Sequence, residues 1–270
     1  MQKLPPLHLA VIQENLPLVK LLACQRDRID NYGFTAEDIA NFLGKKQCLR
    51  LLSRGEERGE KEVKIVWPNH SVLQRYSPEE LGEKIGISWC SHLLFPSYRS
   101  LVAAVRRFPL LMRVRWLFPE CYQLEEEDCK ALMEGAVADV TIVWVDERWG
   151  FGLVSNRDLQ EGDWVGAYTG MVRPIPLWHP DPNGYCLRYP TWWIEMRTYV
   201  IDSQKYGNAT RFVNHSENPN LAFSCLVYKR LLHFVLRAAR FIPRGTMLTM
   251  DYGSDYWRRR RLNPNVVKIT

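Results

Sequence analysis

The spacing of apolar and polar positions divides this chain near residue 140 into a helical front part and a strand-rich back part. Pro6, Leu7, His8, Leu9 and Ala10 open one helical stretch. Thr35, Ala36, Glu37, Asp38, Ile39 and Ala40 open another after a turn at Asn31 and Gly33. Leu18, Val19, Leu21 and Leu22 make the apolar face of a further helix, and Leu49, Leu51 and Leu52 repeat that arrangement. The charged, glycine-containing run SRGEERGEKE, Ser53 to Glu62, reads as a linker. Val63 to Trp67 reads as a short strand, and Ser77, Pro78, Glu79 and Glu80 as a helix start, since proline at the first helical position removes an N–H that would lack a partner anyway. From Ser97 to Phe118 arginines recur among large apolar residues, and Pro109 is expected to break the run. Two readings of that stretch stand: a basic amphipathic surface for nucleic acid or acidic lipid, or a solvated face over a packed core.

After Asp139 the texture changes. VTIVWV, FGLVS, DWVGAY, YCLRY, YVID, CLVY and FVLRAA are short strand candidates rich in valine and aromatics, separated by Gly, Pro, Asn and Asp. No helix alternates with them, so several small, mostly antiparallel sheets are expected.

Composition narrows the class. A hydrophobic fraction of 46% with Trp 10, Tyr 12 and Phe 10 excludes a disordered chain. Seven cysteines, at Cys24, Cys48, Cys90, Cys121, Cys129, Cys186 and Cys225, form no CxxC pair, so neither a disulfide framework nor a zinc finger is expected and no metal site is implied. Charge interrupts every apolar stretch before the ~20 residues a membrane helix needs, so a soluble protein is expected. The net charge of +6 fits an acidic partner or nucleic acid, and equally a plain soluble surface.

Three separated strings carry candidate chemistry. In DERWGFGLVSNRDLQEGDWVGAYTG, Asp146 to Gly170, the glycines Gly150 and Gly152 would let a ligand approach the backbone, although a tight hairpin explains a GxG equally well. In YVIDSQKYGNATRFVNHSENPNLAF, Tyr199 to Phe223, a loop dense in Asn either bonds its own backbone or grips a polar ligand. In RAARFIPRGTMLTMDYGSDYW, Arg237 to Trp257, Tyr252 ends a strand, either covering the core or aiming its hydroxyl into a site.

Together these strings resemble, in order, the signatures of the SET family of lysine methyltransferases: a GxG segment ending in YxG, GNxxRFxNHSxxPN from Gly207, and GxxLTxDYG from Gly245. The resemblance runs from Thr141 to Trp257. The front part is similar to about one and a half ankyrin repeats, PLHLA and TAEDIA standing at matching places, though the step from Ala10 to Ala40 is 30 residues where ankyrins use about 33. So short a stack should pack on the rest of the chain. The implied organisation is an ankyrin-like helical segment over 1–55, a mixed region of unknown role over 56–140, a SET domain over 141–253, and a basic aromatic segment over 254–270.

The SET resemblance implies a mainly β fold of small sheets around a pseudoknot, with an α-helical N-terminal region beside it. It implies S-adenosylmethionine as methyl donor, held around Trp149, Phe151, Gly152, Arg211, Phe212, Asn214 and His215, with Tyr185 close by. Tyr252 would be the active-site tyrosine and Tyr168 a wall of the lysine channel, with Phe223 and Met250 further along it. The family often has an aromatic where Met250 stands. Met250 and Phe223 offer no hydroxyl to hold the amine for a single transfer, which points to more than one methyl. The cysteine-rich zinc segments of many members are absent, so something else must close the channel; the tail is available, with Trp257 or Tyr256 over the donor or substrate. Arg258, Arg259, Arg260 and Arg261 would meet an acidic partner such as nucleosomal DNA, or make a solvated basic turn.

The expected function is S-adenosylmethionine-dependent methylation of a protein lysine, histone first. The alternatives are a non-histone substrate, or a catalytically weak binding module with the ankyrin-like segment as its surface for a protein partner. The nucleus is the expected location, with the cytoplasm as alternative.

Overall fold

The computed structural model describes residues 4–53, 62–68, 70, 72–112, 125–176, 183–189 and 197–260. Most of the expected linker, residues 113–118 of the arginine-rich stretch, Cys121, Arg261, and the side chains of Arg259 and Arg260 lie outside that description.

Four seven-residue helices come first: α1 (Pro6–Ile12), α2 (Leu16–Leu22), α3 (Ala36–Phe42) and α4 (Lys46–Leu52). Each helix of the second pair begins 30 residues after its counterpart in the first. Glu14 and Gly44, at equivalent places just after α1 and α3, both take positive φ, 55° and 66°. Gly44 does so without a Cβ penalty; Glu14 bears that strain, and its carboxylate meets Lys45 at 2.6 Å. Thr35 and Asp38 close a capping box at the start of α3, which is why TAED opens a helix there.

Asp30, 6% exposed, ties this unit to a tyrosine much later in the chain. Its carboxylate accepts from the backbone N–H groups of Tyr32 and Phe34 at 2.8 and 2.9 Å, and from the Tyr98 hydroxyl at 2.8 Å.

The middle of the chain adds β1 (Val63–Val66), β2 (Gln74–Tyr76), α5 (Pro78–Ile85), β3 (Ser88–Trp89), α6 (Tyr98–Met112) and α7 (Glu126–Glu134). Ser77 and Glu80 cap α5 reciprocally, as the Ser-Pro-Glu-Glu run implies, and Gly86 ends it in the left-handed region. The break expected at Pro109 does not occur: α6 continues through it to Met112. The proline removes one backbone donor close to the helix end, and the longer helix outlasts that loss.

The back part supplies β4 (Val140–Asp146), β5 (Gly150–Ser155), β6 (Trp164–Ala167), β7 (Met171–Pro176), β8 (Cys186–Tyr189), β9 (Arg197–Asp202), β10 (Tyr206–Gly207), β11 (Asn214–His215), β12 (Leu221–Tyr228), β13 (Leu231–Ala238), β14 (Met247–Met250) and α8 (Ser254–Arg260). They join β1 to β3 in a six-stranded sheet ordered β11-β14-β5-β4-β1-β2, two three-stranded sheets, β12-β13-β6 and β7-β9-β8, and the pair β10-β3. Most pairings are antiparallel, as expected; β1 with β4, β3 with β10, and β11 with β14 are parallel. Helix and strand share the described chain about evenly, so the architecture is mixed α/β rather than mainly β, because α5, α6 and α7 add helix along the chain between the first four helices and β4.

The helix pairs do not stand apart. Leu7, Phe34, Phe42 and Leu52 belong to one core with Tyr189, Leu231 and Phe234, and Lys229, in the β12–β13 turn, pairs with Asp38. A second core, with Ile65, Leu81, Ile142, Leu153, Leu236 and Leu248, lies against the six-stranded sheet.

His233 on β13 is 6% exposed, and its Nε2 has no hydrogen-bond partner. Burial, aided by nearby His92, pushes its pKa down from 6.5 to about 4. Between those values the unfolded chain binds a proton that the folded chain refuses. The stabilisation is therefore complete above about pH 6.5 and is lost as pH falls towards about 4. Denaturant titrations should show up to about 3 kcal/mol of stability disappearing across that window. The same series on His233→Leu should be flatter; parallel curves for the two proteins would refute the assignment.

Candidate functional site

The β4–β5 hairpin sets one wall. Gly150 turns it at φ 66°, with open space where a side chain would stand, and Phe151 lies opposite Trp144 across the pair. The Phe151 ring meets Trp144, Trp67 and Phe212 edge to face at 5.2, 5.8 and 5.9 Å. Gly152 is explained by packing: a Cβ there would lie 2.6 Å from Met247 Sδ and 2.9 Å from Val145 Cγ2.

The asparagine-rich loop fixes the second wall. Asn208 donates to the Ala167 carbonyl at 3.0 Å and accepts from the Thr210 N–H at 3.0 Å, both buried. Asn220 donates to the Met247 carbonyl and accepts from the Thr249 N–H, each at 2.8 Å. Asn214 Nδ2 donates to the Phe151 carbonyl at 3.1 Å, joining the loop to the hairpin. The loop is thus held by its own side-chain amides, as its composition allowed.

The third wall comes from pairing β11 with β14, Asn214 opposite Thr249 and His215 opposite Met250. Tyr252 comes next along the chain. Its N–H donates to His215 Nδ1 at 3.2 Å, and its hydroxyl donates to the Val213 carbonyl at 3.0 Å. Gly253, at φ 79°, then turns α8 back, so that Trp257 stacks with Tyr252 at 6.0 Å and meets His215 at 4.9 Å.

The last wall is Tyr168 with Tyr185 and Arg211. The Tyr168 hydroxyl donates to the Tyr185 carbonyl at 2.8 Å, and burial drives its pKa well above the usual phenol value, so it stays neutral. The Arg211 guanidinium lies 4.2 Å over the Tyr185 ring and 4.9 Å from that of Phe212. It donates to the Ser203 and Gln204 carbonyls at 2.8 and 3.2 Å. Burial pulls its pKa down from the ordinary arginine value, opposed by Tyr185, Tyr168 and Asp202.

These walls line an open cavity with about 160 Å³ of free space. Of the residues expected from sequence, Tyr168, Tyr252, Trp149, Phe151, Tyr185, Arg211, Phe212, Asn214, Phe223 and Met250 line it. Gly152, His215 and Trp257 do not reach its surface; the last two brace Tyr252 from behind, Trp257 being 7% exposed. Sequence reasoning missed Ile175, Leu187, Arg188, Val200 and Val213. The first four come from β7, β8 and β9, whose strand patterns show which residues alternate but not which face turns towards a cavity. Tyr256, expected as a cover, is among the lining residues. Among the described lining residues the charged groups are Arg188 and Arg211, and there is no carboxylate. Among the described residues no group of three or more His, Cys, Asp or Glu is placed to hold a metal, and no helix is long and apolar enough to cross a membrane.

Gly170, which ends the YxG string, has a packing reason too: a Cβ there would lie 2.5 Å from the Asp202 carbonyl oxygen. Gly170→Ala should lower stability by about 1–3 kcal/mol, because backbone cannot yield as a side chain does. Gly150→Ala, strained only in φ, should cost about 1 kcal/mol. Urea midpoints of the two variants check the ranking, and a milder effect at Gly170 would contradict it.

Residues 150–253 match the family model described as the SET domain. The N-lysine methyltransferase KMT5A-A of Danio rerio is 27% identical over 154 residues, 54% of this chain and 44% of that protein. The histone-lysine N-methyltransferase 2B of Homo sapiens is 33% identical over 105 residues, 38% of this chain and 4% of that protein. This chain therefore spans less than half the length of these curated relatives. The crystal structure of KRYPTONITE in complex with mCHG DNA and SAH aligns with 42% of this chain and 23% of that one, at 30% identity and a TM-score of 0.34, too low to add to the sequence match. Residues 150–253 are thus similar to a SET domain, and the chain is similar in part to proteins named as histone-lysine N-methyltransferases.

Proposed function

We propose that this chain is a protein-lysine N-methyltransferase that uses S-adenosylmethionine and acts on histone lysine in the nucleus. The observation that carries the reading is the convergence of Phe151, Asn214 and Tyr252, from three SET signature strings, on one aromatic cavity. The histone preference rests on the relatives, which include histone-lysine N-methyltransferases.

The residues present fit such a donor. Rings of Trp149, Phe151 and Tyr252 suit a sulfonium cation, whose positive charge is favoured over aromatic faces. The donor, when bound, supplies an electrophilic methyl group. What the chain's own residues do is prepare the amine. A free lysine has a pKa near 10.4 and arrives protonated. Inside, the described lining offers no carboxylate to hold an ammonium, and Arg188 and Arg211 add charge of the same sign. Both effects favour the neutral amine. The Tyr252 hydroxyl, anchored by its bond to the Val213 carbonyl, accepts from an amine N–H and fixes the direction of the nitrogen lone pair. Tyr168, kept neutral by burial and held in place by its bond to the Tyr185 carbonyl, walls the channel without offering a competing base.

The pairing of β11 with β14 supports the pseudoknot topology of the SET family for this chain. The repetition of the two helix pairs supports an ankyrin-like segment that binds a protein partner, although its step of 30 residues is shorter than the family's. The basic run from Arg258 to Arg261, coming directly after the residues that brace the site, suits contact with an acidic partner such as nucleic acid.

Transfer of labelled methyl groups to core histones, nucleosomes and a cell lysate tests the reading. Tyr252→Phe should lose about a hundredfold in rate while remaining folded. A variant as active as the native chain would remove Tyr252 from its role, and no transfer to any of the three substrates would sink the proposal.

Met250 and Phe223 leave the channel without a hydroxyl beside Tyr252 on that side. The native protein is therefore expected to place two or three methyl groups on one lysine, and Met250→Tyr to stop at one. Mass spectrometry of product peptides decides; a single methyl from the native chain on every substrate contradicts this.

A further inference from the structure

Trp67 stands just after β1, outside the stretch that matches the SET model, and does not line the cavity. Its place is nevertheless fixed relative to that cavity. β1 pairs in parallel with β4, Val66 opposite Val143, which sets Trp67 beside Trp144. Trp144 is the cross-strand partner of Phe151. The Trp67 indole meets the Phe151 ring edge to face, centroids 5.8 Å apart at 81°. On its other side it meets Tyr76 at 6.5 Å and 77°, and Tyr76 in turn lies under the Lys84 ammonium at 5.1 Å.

A row of rings thus runs from a surface groove lined by Trp67, Tyr76 and Lys84 to Phe151, then Phe212, then Arg211 over Tyr185 inside the cavity. Phe151 has its backbone carbonyl fixed by Asn214. Its ring is fixed only by its packing, and of the rings it meets edge to face, Trp67 is the one that comes from the middle of the chain. Removing a half-buried indole leaves a gap into which a phenylalanine ring can rotate, since core neighbours relax only partly around a void.

We propose that Trp67 is a positioning residue for the donor pocket, holding the Phe151 ring in the orientation that closes the wall against the sulfonium end of the donor. The proposal rests on the methyltransferase reading and gives the segment before β4 a part in that reaction. It requires that loss of Trp67 weaken donor binding more than it slows methyl transfer itself.

The test uses the full chain in three variants. Trp67→Ala should raise the KM for S-adenosylmethionine, and the Kd for S-adenosylhomocysteine by calorimetry, about tenfold, with kcat at saturating donor within threefold of native. Trp67→Phe, which keeps a ring against Phe151, should restore both to within threefold. Leu81→Ala, in the same core but on α5 and not one of the rings that meet Phe151 edge to face, controls for stability and should leave KM unchanged at a temperature where the protein is folded. Trp67→Ala with native KM and Kd overturns the proposal. So does a rise in KM shared equally by Leu81→Ala, or one that Trp67→Phe fails to reverse. If the native chain itself binds no S-adenosylhomocysteine, the methyltransferase reading fails first, and that result is distinct from all of these.

Discussion

The cavity depends on a parallel contact only two residues long. β11 and β14 lie far apart in the chain, and a ladder of that length would not hold by itself. It is thickened by its surroundings: the Ser216 N–H donates to the Met250 carbonyl at 3.0 Å, the Asn220 N–H to the Thr249 carbonyl at 3.2 Å, and the Asn220 side chain bonds both Met247 and Thr249. Each such bond contributes about 0.5–1.5 kcal/mol net, but leaving any partner buried and unsatisfied costs more. The contact therefore forms as a unit. With it come Asn214 against Phe151 and Tyr252 against His215, the links that bind the first three walls together.

Much of this was legible because the relevant patterns are local. The strands of the back part alternate or run apolar between turn residues, and the first four helices repeat at a fixed step with a readable cap at Thr35. The elements that escaped did so for physical reasons. β7 contains Pro174 and Pro176, which argue against a strand; it is tolerated because β7 is an edge of its three-stranded sheet, where a missing N–H breaks no ladder. β3, β10 and β11 are two residues long and carry no period at all. α7 had its signals, three acidic residues in the first turn and Gly135 after the last, but it sits in a region where no neighbouring pattern framed it.

The site shows the same division. Rings and amides of the signature strings were found, since they are named by their order along the chain. Whether a residue touches the cavity or braces one that does is a matter of side-chain direction, which order does not encode. Gly152, His215 and Trp257 are on the bracing side of that line. Ile175, Leu187, Arg188 and Val200 are on the touching side, placed there by the face that a small sheet turns inward. Two of the glycines obey the same logic: Gly152 and Gly170 are required by atoms of Met247 and Asp202 packed where a Cβ would stand.

The charge pattern of the cavity constrains how a substrate can be recognised. On the proposed reading, a lining with Arg188 and Arg211 and no carboxylate among its described residues gives an ammonium no counter-charge, so a lysine is not drawn in by an ion pair. What the channel does offer is apolar surface for the four methylenes of the side chain, worth about 0.8 kcal/mol each on burial. That sum of about 3 kcal/mol is the same for every lysine in every protein. It also opposes the cost of shedding a proton at neutral pH, about 1.4 kcal/mol for each unit of pKa. For a pKa near 10.4 that cost exceeds the gain, and neither quantity differs between one lysine and another. Selection must then reside outside the channel, in residues flanking the target lysine and the surfaces they meet where the cavity opens, where the lining residue Arg188 is exposed.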